Sequence, residues 1–339
     1  NFTDVVPNKS LAQFLANNYA LANNAEFYNK LKSFDNLSSL NNSLNQLTGK
    51  DVLSRFNFED MSMMRELNYD MNNNLFHSKE NHLSMAGSVS PMAFKGDTGS
   101  NSRYSLFSQK HDNTSIGLGI AFTDTRSDDD HESNNRHETM YQMIVPFGYK
   151  AGGFNMITSP RIGYARGEYD RTGFDGENYD GTLEKRVYGV MNEARYPFKV
   201  AGWSFEPSLE FNVLGYQQKG SEDGRQFSLN VPNQQTLSVE GGMGFYATKE
   251  TELSHGKVNL SAGLALYHEF ADPYKLKLGM EGMDGSFEVR DENRSDNRAV
   301  ARAGFNYTND DNLEIYGSIL SYIDKEARTK ANTGMKLKF

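Results

Sequence analysis

Side chains in this chain alternate between apolar and polar with a period of two residues, and this pattern limits the possible folds more than any other feature. The segment GWSFEPSLEFNVLGY places Leu209, Phe211 and Val213 on one side and Ser208 and Glu210 on the other. Successive side chains of a β-strand point to opposite faces, so this segment is expected to be a strand with one apolar face. Similar segments follow one another from about residue 80 onwards, which predicts an all-β fold for this part.

The expected strands are long, and their connections alternate in length. HDN, KAGG, KVAG, ETELSHG and TNDDN are short, whereas SDDDHESNN, RTGFDGENYDG and the stretch from Asp272 to Ser295 are long and acidic. Strands that cross a bilayer need about 9–11 residues, and short inner turns with longer outer loops are typical of antiparallel outer-membrane barrels. A soluble barrel or sandwich stays open as an alternative, because its strands alternate too. Twelve strands are expected, at residues 82–95, 101–111, 114–127, 137–150, 153–170, 182–199, 202–217, 234–251, 256–271, 296–308, 312–324 and 329–339.

Composition excludes several classes of protein. The formal net charge is -9, which argues against nucleic acid as a partner because its phosphates attract basic surfaces. Mean hydropathy is -0.68, and no apolar run reaches the length of about 18 residues that a transmembrane helix needs. The start NFTDVVPNKS lacks the charged and apolar regions of a signal peptide, so export would require an upstream segment. Cysteine is absent, which excludes disulfides and thiolate metal sites.

The first part of the chain has the composition of helices rather than strands. Residues 1–60 are rich in Asn, Leu and Ser and are expected to form a helical linker, in which Asn18 would be exposed. Residues 61–78 are expected to form one polar helix, and residues 79–339 the barrel. The narrow apolar stripe of this helix consists of Met64, Leu67, Met71 and Leu75.

A helix as polar as this one is usually a solvated surface helix or not a stable helix at all. A third possibility is a helix inside a polar cavity, which the lumen of a barrel would supply. At 1.5 Å per residue, residues 61–76 would measure roughly 24 Å, which matches the apolar band of such barrels, about 25 Å tall. A twelve-stranded lumen should hold about one helix, because it lies between filled eight-stranded barrels and open sixteen-stranded porins. The polar contacts between helix and wall are expected to involve Arg65, Glu66, Asn68 and Asp70 on the helix and Glu206, Glu210, Arg302 and Asn306 on the wall.

The final strand, TKANTGMKLKF, ends on an aromatic residue while the alternation is still running. Its outward positions are Thr333, Met335, Leu337 and Phe339. This pattern resembles the signal by which the barrel-assembly machinery recognises outer-membrane proteins. The alternative is that Phe339 serves as an interfacial anchor, and the two roles are compatible.

The order of parts resembles that of a known family. A Leu-rich helical segment, the stretch LNQLTGKDVLSRF, a polar helix and twelve strands ending in Phe are similar to the C-terminal translocator domain of a monomeric autotransporter, the type V secretion system. The segment YGSILSYIDKEARTKANTGMKLKF resembles the last hairpin of that domain. The resemblance implies an outer-membrane barrel of a Gram-negative bacterium with a helix in its lumen, which anchors and exports an N-terminal passenger.

The same resemblance implies the partners of the protein. They would be outer-membrane lipids, the barrel-assembly machinery, periplasmic chaperones and the protein's own passenger. A monomer without a cofactor is expected.

Enzyme motifs are missing from the sequence. G-x-S-x-G, H-E-x-x-H and the P-loop do not occur. His131 and His137 flank an acidic run, 128–130, which could bind a divalent cation, but a solvated acidic loop explains the run better and no metal site is predicted. An outer-membrane protease or lipase, using His131, His137 or His268 at the barrel rim, is a rival interpretation. A surface adhesin acting through its loops is another.

The run Asn72, Asn73 and Asn74 raises a further hypothesis. Some autotransporters release their passenger by cleavage at an Asn–Asn bond inside the barrel, where the Asn side chain attacks its own backbone carbonyl. The run stands only a few residues before the first strand, lower in the pore than that pattern requires. Lumen-facing polar side chains are therefore the preferred interpretation, and self-cleavage is the weaker one.

Overall fold

The structure is a computed structural model that describes residues 6–19, 25–53, 55–77, 82–90, 98–127, 135–173, 175–290, 295–309, 313–325 and 327–338. Its helices are α1 (Lys9–Asn18), α2 (Ala25–Lys32), α3 (Leu37–Thr48), α4 (Lys50–Leu53) and α5 (Arg55–His77). Its strands are β1 (His82–Ser90), β2 (Thr98–His111), β3 (Thr114–Ser127), β4 (Arg136–Ile144), β5 (Phe147–Ala151), β6 (Phe154–Thr172), β7 (Asn178–Arg195), β8 (Phe198–Val200), β9 (Trp203–Glu222), β10 (Leu229–Leu253), β11 (Gly256–Glu269), β12 (Lys275–Met280), β13 (Phe287–Arg290), β14 (Asn297–Thr308), β15 (Leu313–Ile323) and β16 (Ala327–Lys338). Within these ranges, no helix has the length and hydrophobicity needed to cross a membrane.

Antiparallel pairing between neighbouring strands closes the sheet into a barrel, because β1 pairs with both β2 and β16. Two of the wall strands are interrupted. β4 and β5 continue one another between β3 and β6, and β8 continues β7 alongside β9. Proline stands in each break, at Pro146 and Pro197, where it cannot donate a ladder hydrogen bond. The wall therefore has twelve strands, which confirms the predicted fold.

Apolar side chains cover the outside of the wall and polar ones line the inside. Leu209 is 64% exposed and Ile120 63%, whereas Lys185 and Glu240 are 0% and 1% exposed. A soluble protein with this distribution would hide its charges and expose its hydrophobic surface, at great cost. The distribution suits a barrel surrounded by lipid.

One long connection that was expected to be a loop is partly folded. Residues 275–280 and 287–290 form the hairpin β12–β13, whose register runs from Lys275↔Arg290 to Leu278↔Phe287. β12 also pairs with β10 at Leu229↔Met280, beyond the predicted start of that strand at residue 234. The stretch from Asp272 to Ser295 was expected to be a long acidic connection between strands, but part of it is strand, and Leu276, Leu278 and Phe287 are buried.

The hairpin and helices α1–α4 form a cap over the end of the barrel that carries the long connections. Phe14 of α1 packs against Phe287 of β13, with ring centroids 5.1 Å apart. Helix α3 ends at Gly49, whose φ of 56° is left-handed and is easily adopted by glycine. The buried apolar core of this cap consists of Val6, Leu11, Ala12, Phe14, Leu15, Phe27, Tyr28, Leu31, Leu44, Leu47, Val52, Leu53, Phe56, Tyr169, Leu183, Phe227, Leu229, Val231, Leu276, Leu278, Met280, Phe287 and Val289.

Polar contacts fix α1 to the hairpin. Asn8 donates to the carbonyl of Glu288 at 2.8 Å, and Ser10 Oγ accepts from the Glu288 amide at 2.9 Å. Asn18 accepts from the Asp284 amide at 2.7 Å and is 1% exposed. The expectation that Asn18 is exposed was therefore wrong. In α2, burial raises the pKa of Tyr28 to about 12, and its hydroxyl donates to the Leu15 carbonyl at 2.5 Å.

Candidate functional site: the lumen and its helix

Helix α5 lies inside the barrel and begins at Arg55, upstream of residue 61, where the sequence placed the start of the luminal helix. Its side chains bond to wall strands around the whole circumference, from β3, β6 and β7 to β10, β15 and β16. A cavity of about 20 Å³ remains beside Arg65, Asn68 and Tyr69. That volume has room for about one water molecule. The helix thus fills the lumen at this level.

The apolar stripe of α5 decides how the helix is rotated. Leu67, Met71 and Leu75 pack against the β2–β6 side of the wall, where Leu106 and Ile144 are among their partners. Burying the stripe there turns the polar face toward β10 and β14–β16. Helix rotation is set by the hydrophobic effect, and the polar contacts follow from it.

Arg65 forms the most complete ion pair of the helix. Its Nη2 lies 2.7 Å from both carboxylate oxygens of Glu240, and its Nε lies 3.2 Å from Oε1. Arg298 also contacts Glu240, and the Arg65 guanidinium stacks 4.7 Å from the ring centroid of Tyr267. Two buried cations therefore share one buried carboxylate. The predicted helix residue Arg65 does reach the wall, but at Glu240 instead of Glu206 or Glu210.

Three amides of α5 bond to charged groups of β6 and β7. Asn68 Oδ1 accepts from Arg161 at 2.5 Å. Asn72 donates to Glu193 Oε2 at 2.7 Å, and Asn73 Oδ1 accepts from Arg195 Nη1 at 2.5 Å. The side chain of Asn74 lies outside the described residues.

The remaining polar face of α5 meets the last strands of the barrel. Glu66 accepts from the Tyr322 hydroxyl and from Asn332 Nδ2 at 3.3 Å. Arg302 stacks on Tyr69, 3.5 Å from the ring centroid. These contacts connect α5 to β14, β15 and β16, the last strands before the seam with β1.

The other predicted site residues have different neighbours. Asp70 interacts electrostatically with Lys336 and Arg302. The three remaining wall residues bond within the wall: Glu206 accepts from Arg195 at 3.2 Å, Glu210 accepts from Tyr267 at 2.9 Å, and Asn306 donates to Glu314 at 3.3 Å. Whether any of these eight residues matters for function stays a prediction.

The residues that bond to α5 most closely were not predicted from the sequence. They are Arg161, Lys185, Glu193, Arg195, Glu240 and Tyr322. Each occupies an inward position of an alternating strand, so a complete list of inward charges would have included most of them. Periodicity identifies the inward face but does not identify the partner across the lumen.

On the terminal strand, Met335 and Leu337 are 60% and 41% exposed, and Thr333 is exposed too. All three point outward from the wall, and Phe339 lies outside the described residues. The role of these residues in recognition stays a prediction.

His137 and His268, the two candidate histidines that the structure describes, do not converge. His137 contacts Asp124 on the neighbouring strand, and His268 Nδ1 lies 2.8 Å from Asn297 Oδ1 on a distant part of the wall. His131 and residues 128–130 lie outside the described residues. In the ranges that the structure covers, no group of three or more His, Asp or Glu residues is arranged to hold a metal ion.

Comparison with known proteins gives a match to one family model and similarity in fold to solved barrel structures. A family model described as the autotransporter beta-domain matches residues 101–319. The translocator domain of autotransporter NalP from Neisseria meningitidis superposes with a TM-score of 0.65 at 12% identity, covering 86% of this chain and 99% of that one. The beta domain of the Bordetella autotransporter BrkA gives a TM-score of 0.54 at 12% identity, covering 77% of this chain and 100% of that one. No curated protein matches the sequence.

Proposed function

Because the chain belongs to the autotransporter family through its β-domain, it is an outer-membrane translocator of a Gram-negative bacterium, and we propose that it exports and anchors its own N-terminal passenger through the lumen that α5 fills. The family implies a passenger joined on the N-terminal side. Support comes from the path of the chain: α1–α4 lie at the mouth with the long connections, and α5 runs through the lumen to β1. A chain that once passed through the pore would be left in this position.

A reporter fusion tests the export step. A small protease-sensitive reporter is joined ahead of residue 1, and external protease is added to intact cells. We expect the reporter to be digested while the barrel stays intact. The control lacks residues 55–77, and its barrel should still assemble because a closed barrel has no unpaired edge. A reporter that stays protected behind a normally inserted, full-length barrel would contradict export by this chain.

Conductance tests the role of α5 as a plug. In the intact protein, α5 leaves a cavity of only about 20 Å³ beside it in the lumen. Deletion of residues 1–78 removes this helix, so the channel conductance in planar bilayers should rise. Equal conductance of the intact and truncated forms would mean that α5 does not block the pore.

The proposed partners follow from the outer surface and the terminal strand. The apolar outer face suits outer-membrane lipids, and delivery would depend on periplasmic chaperones. We propose that Thr333, Met335, Leu337 and Phe339 are recognised by the barrel-assembly machinery, and that the protein acts as a monomer without nucleic acid or a cofactor. Phe339→Ser should slow insertion while the inserted barrel keeps its melting temperature. Insertion at the normal rate would leave only the anchoring role.

One contact favours a second candidate activity, self-cleavage at the Asn run. The carboxylate of Glu193 accepts a hydrogen bond from the Asn72 side chain, 2.7 Å away, so an acidic group stands beside the nucleophile that the reaction needs. The regular helix from Arg55 to His77 opposes it, since the backbone would have to distort. Mass spectrometry of a protease digest separates the two cases: cleavage creates a new chain end at the Asn run, and Asn72→Asp should abolish it. A wild-type chain that stays uncut after insertion excludes this activity.

Enzyme and adhesin interpretations are less well supported. The separated positions of His137 and His268 offer no catalytic pair. In the connection from Asp272 to Ser295, Phe287 and Val289 are buried in the core of the cap, so that part of it is not a free binding loop. Deletion of residues 1–78 distinguishes these interpretations, because it should abolish export but leave a loop-mediated adhesin active.

A further inference from the structure

Three ionisable side chains meet in a buried site between α5 and the wall. Lys185 Nζ contacts Asp60 Oδ2 and lies 2.7 Å from Glu138 Oε2. The side chains of Lys185 and Asp60 are 0% exposed, and that of Glu138 is 3% exposed. An amine, a carboxyl group that it touches and a second carboxylate are thus held together out of contact with solvent.

The register of the wall creates the space for this arrangement. Glu138 of β4 stands opposite Gly167 of β6, and Lys185 of β7 stands opposite Ala165 of β6. Because Gly167 and Ala165 have little or no side chain, the inner face of β6 has free space here, and the Lys185 side chain can extend across β6 to reach Glu138. A Cβ at Gly167 would come within 2.6 Å of the Phe56 ring, which shows how closely α5 covers the same gap.

Phe56 covers the site from the helix side. Its ring centroid lies 4.9 Å from Lys185 Nζ and 4.6 Å from the Arg136 guanidinium. Within the part of the chain that the structure describes, Asp60 Oδ1 is buried and has no hydrogen-bond partner. Asp60 Oδ2 is held by Lys185, and the Asp60 carboxyl group also interacts with Glu138.

The contact between Lys185 and Asp60 offers a direct path for a proton between the two side chains. A buried ion pair loses the hydration of both charges, whereas transfer of the proton from amine to carboxylate removes both charges at once. Glu138 lies in contact with the same amine, so its carboxylate is the group placed to accept a proton from it. A neutral amine beside a neutral carboxylic acid, with a base in contact, is the arrangement that amide formation needs.

We propose that Lys185 and Asp60 condense into an intramolecular isopeptide bond that ties helix α5 covalently to strand β7. The lone pair of Lys185 Nζ attacks Asp60 Cγ and forms the new C–N bond. Glu138 takes a proton from the attacking nitrogen and passes it to the departing hydroxyl. The Cγ–O bond then breaks, and the oxygen leaves with its electron pair as water. One carboxylic acid and one amine give one amide and one water, with Glu138 regenerated and no oxidant or cofactor consumed.

The bond would form after folding, because Asp60 meets Lys185 when α5 occupies the lumen. Holding the two groups in contact replaces a bimolecular encounter by an intramolecular one, which accelerates reactions of this kind greatly. The finished bond would lock the helix in the pore. It would also keep everything upstream of Asp60 attached to the barrel, even if the chain were cut between α5 and β1.

The mass of the wild-type protein is the primary test. The protein is purified from outer membranes, fully unfolded and weighed, and its protease digest is searched for a branched peptide that joins Lys185 to Asp60. We expect the intact mass to be lower than the sequence mass by one water molecule. A full sequence mass, with separate linear peptides containing Asp60 and Lys185, overturns the proposal without requiring any variant to fold.

Variants then test the chemistry. Glu138→Gln keeps the size of the side chain but removes the base, and should slow bond formation by about 10²–10⁴-fold. Asp60→Asn should still react, now losing ammonia, and its product is the same amide as in the wild type. Unchanged kinetics in Glu138→Gln would overturn the role of that carboxylate.

A matched pair of lysine variants controls for unspecific effects. Lys185→Arg should abolish the branched peptide and restore the full mass. Lys336→Arg alters the buried pair of Lys336 with Glu314, whose N–O distance is 3.0 Å, and should leave the mass loss in place. A branched peptide that persists in Lys185→Arg would assign the link to another residue and refute the proposal.

Discussion

Replacing Glu240 by Gln should destabilise the protein more than replacing Arg65, although both changes break the same ion pair. Glu240 is 1% exposed and neutralises two guanidinium groups, those of Arg65 and Arg298. Glu240→Gln removes the one carboxylate that both buried guanidinium groups contact directly. Removing one partner of a buried pair costs about 3–5 kcal/mol, so we expect a loss in that range.

Arg65→Met has a smaller expected cost, because Glu240 keeps Arg298 as a partner. The loss is then that of hydrogen bonds to a charged group, about 1.5–3 kcal/mol. The double variant should be more stable than Glu240→Gln alone, since it removes one of the two facing cations. This order of stabilities follows from the three-charge cluster and would not arise from a simple pair.

Urea unfolding in lipid vesicles, followed by the fluorescence of the single tryptophan, measures these differences. Arg166→Met is the control: Arg166 lies 3.7 Å from Glu168 with both side chains more than half exposed, so its loss should change stability by no more than about 0.5 kcal/mol. If Arg65→Met is as destabilising as Glu240→Gln, or more so, the shared-carboxylate arrangement in the lumen is wrong.

Three further predictions concern the outer wall and the cap. Ala303→Arg, on the exposed face of β14, should cost about 2–4 kcal/mol in a folding titration, and Asn306→Arg, on the inner face, much less; equal costs would contradict the assigned faces. A cysteine at Asn17, which is exposed, should react quickly with a bulky thiol reagent, whereas one at Asn18, 1% exposed, should be protected; equal labelling would mean that α1 does not dock. Phe14→Ala should weaken the cap by about 3–5 kcal/mol, seen as faster hydrogen exchange in α1 with the barrel unchanged; exchange at the wild-type rate would refute the packing of Phe14.

The strands of the barrel wall and the faces of their side chains could be predicted from the sequence, because both depend on the pattern of neighbouring residues. A period of two residues assigns each side chain to a face without knowledge of any distant partner. The exposed side chains of Leu209 and Phe211 and the buried one of Glu206 follow the predicted alternation of β9. The polar character of α5 likewise predicted polar surroundings, since a helix of that composition has no stable place in an apolar core.

The partners across the lumen were decided by the tertiary structure. Arg65 and Glu240 are 175 positions apart, and Asn72 and Glu193 are 121 apart. Their meeting depends on the rotation and height of α5 in the barrel, which the burial of its apolar stripe fixes. Many inward charges are equivalent in the sequence, so the choice of Glu206 and Glu210 over Glu240 could not have been corrected by periodicity.

The cap could not be predicted from the sequence for the same reason, since its core is formed by segments that are distant in the chain. The sequence predicts a polar helical linker from α1 to α4 and a loop at residues 272–295, because each segment alone has too little apolar surface to form a core. At the same end of the barrel, Phe14 packs against Phe287 and Phe27 packs against Phe227, and all four side chains belong to one buried core. Local pattern thus determined the strands, their faces and the polar helix, whereas burial between segments distant in sequence decided the cap, the position of α5 and the contact of Asp60 with Lys185.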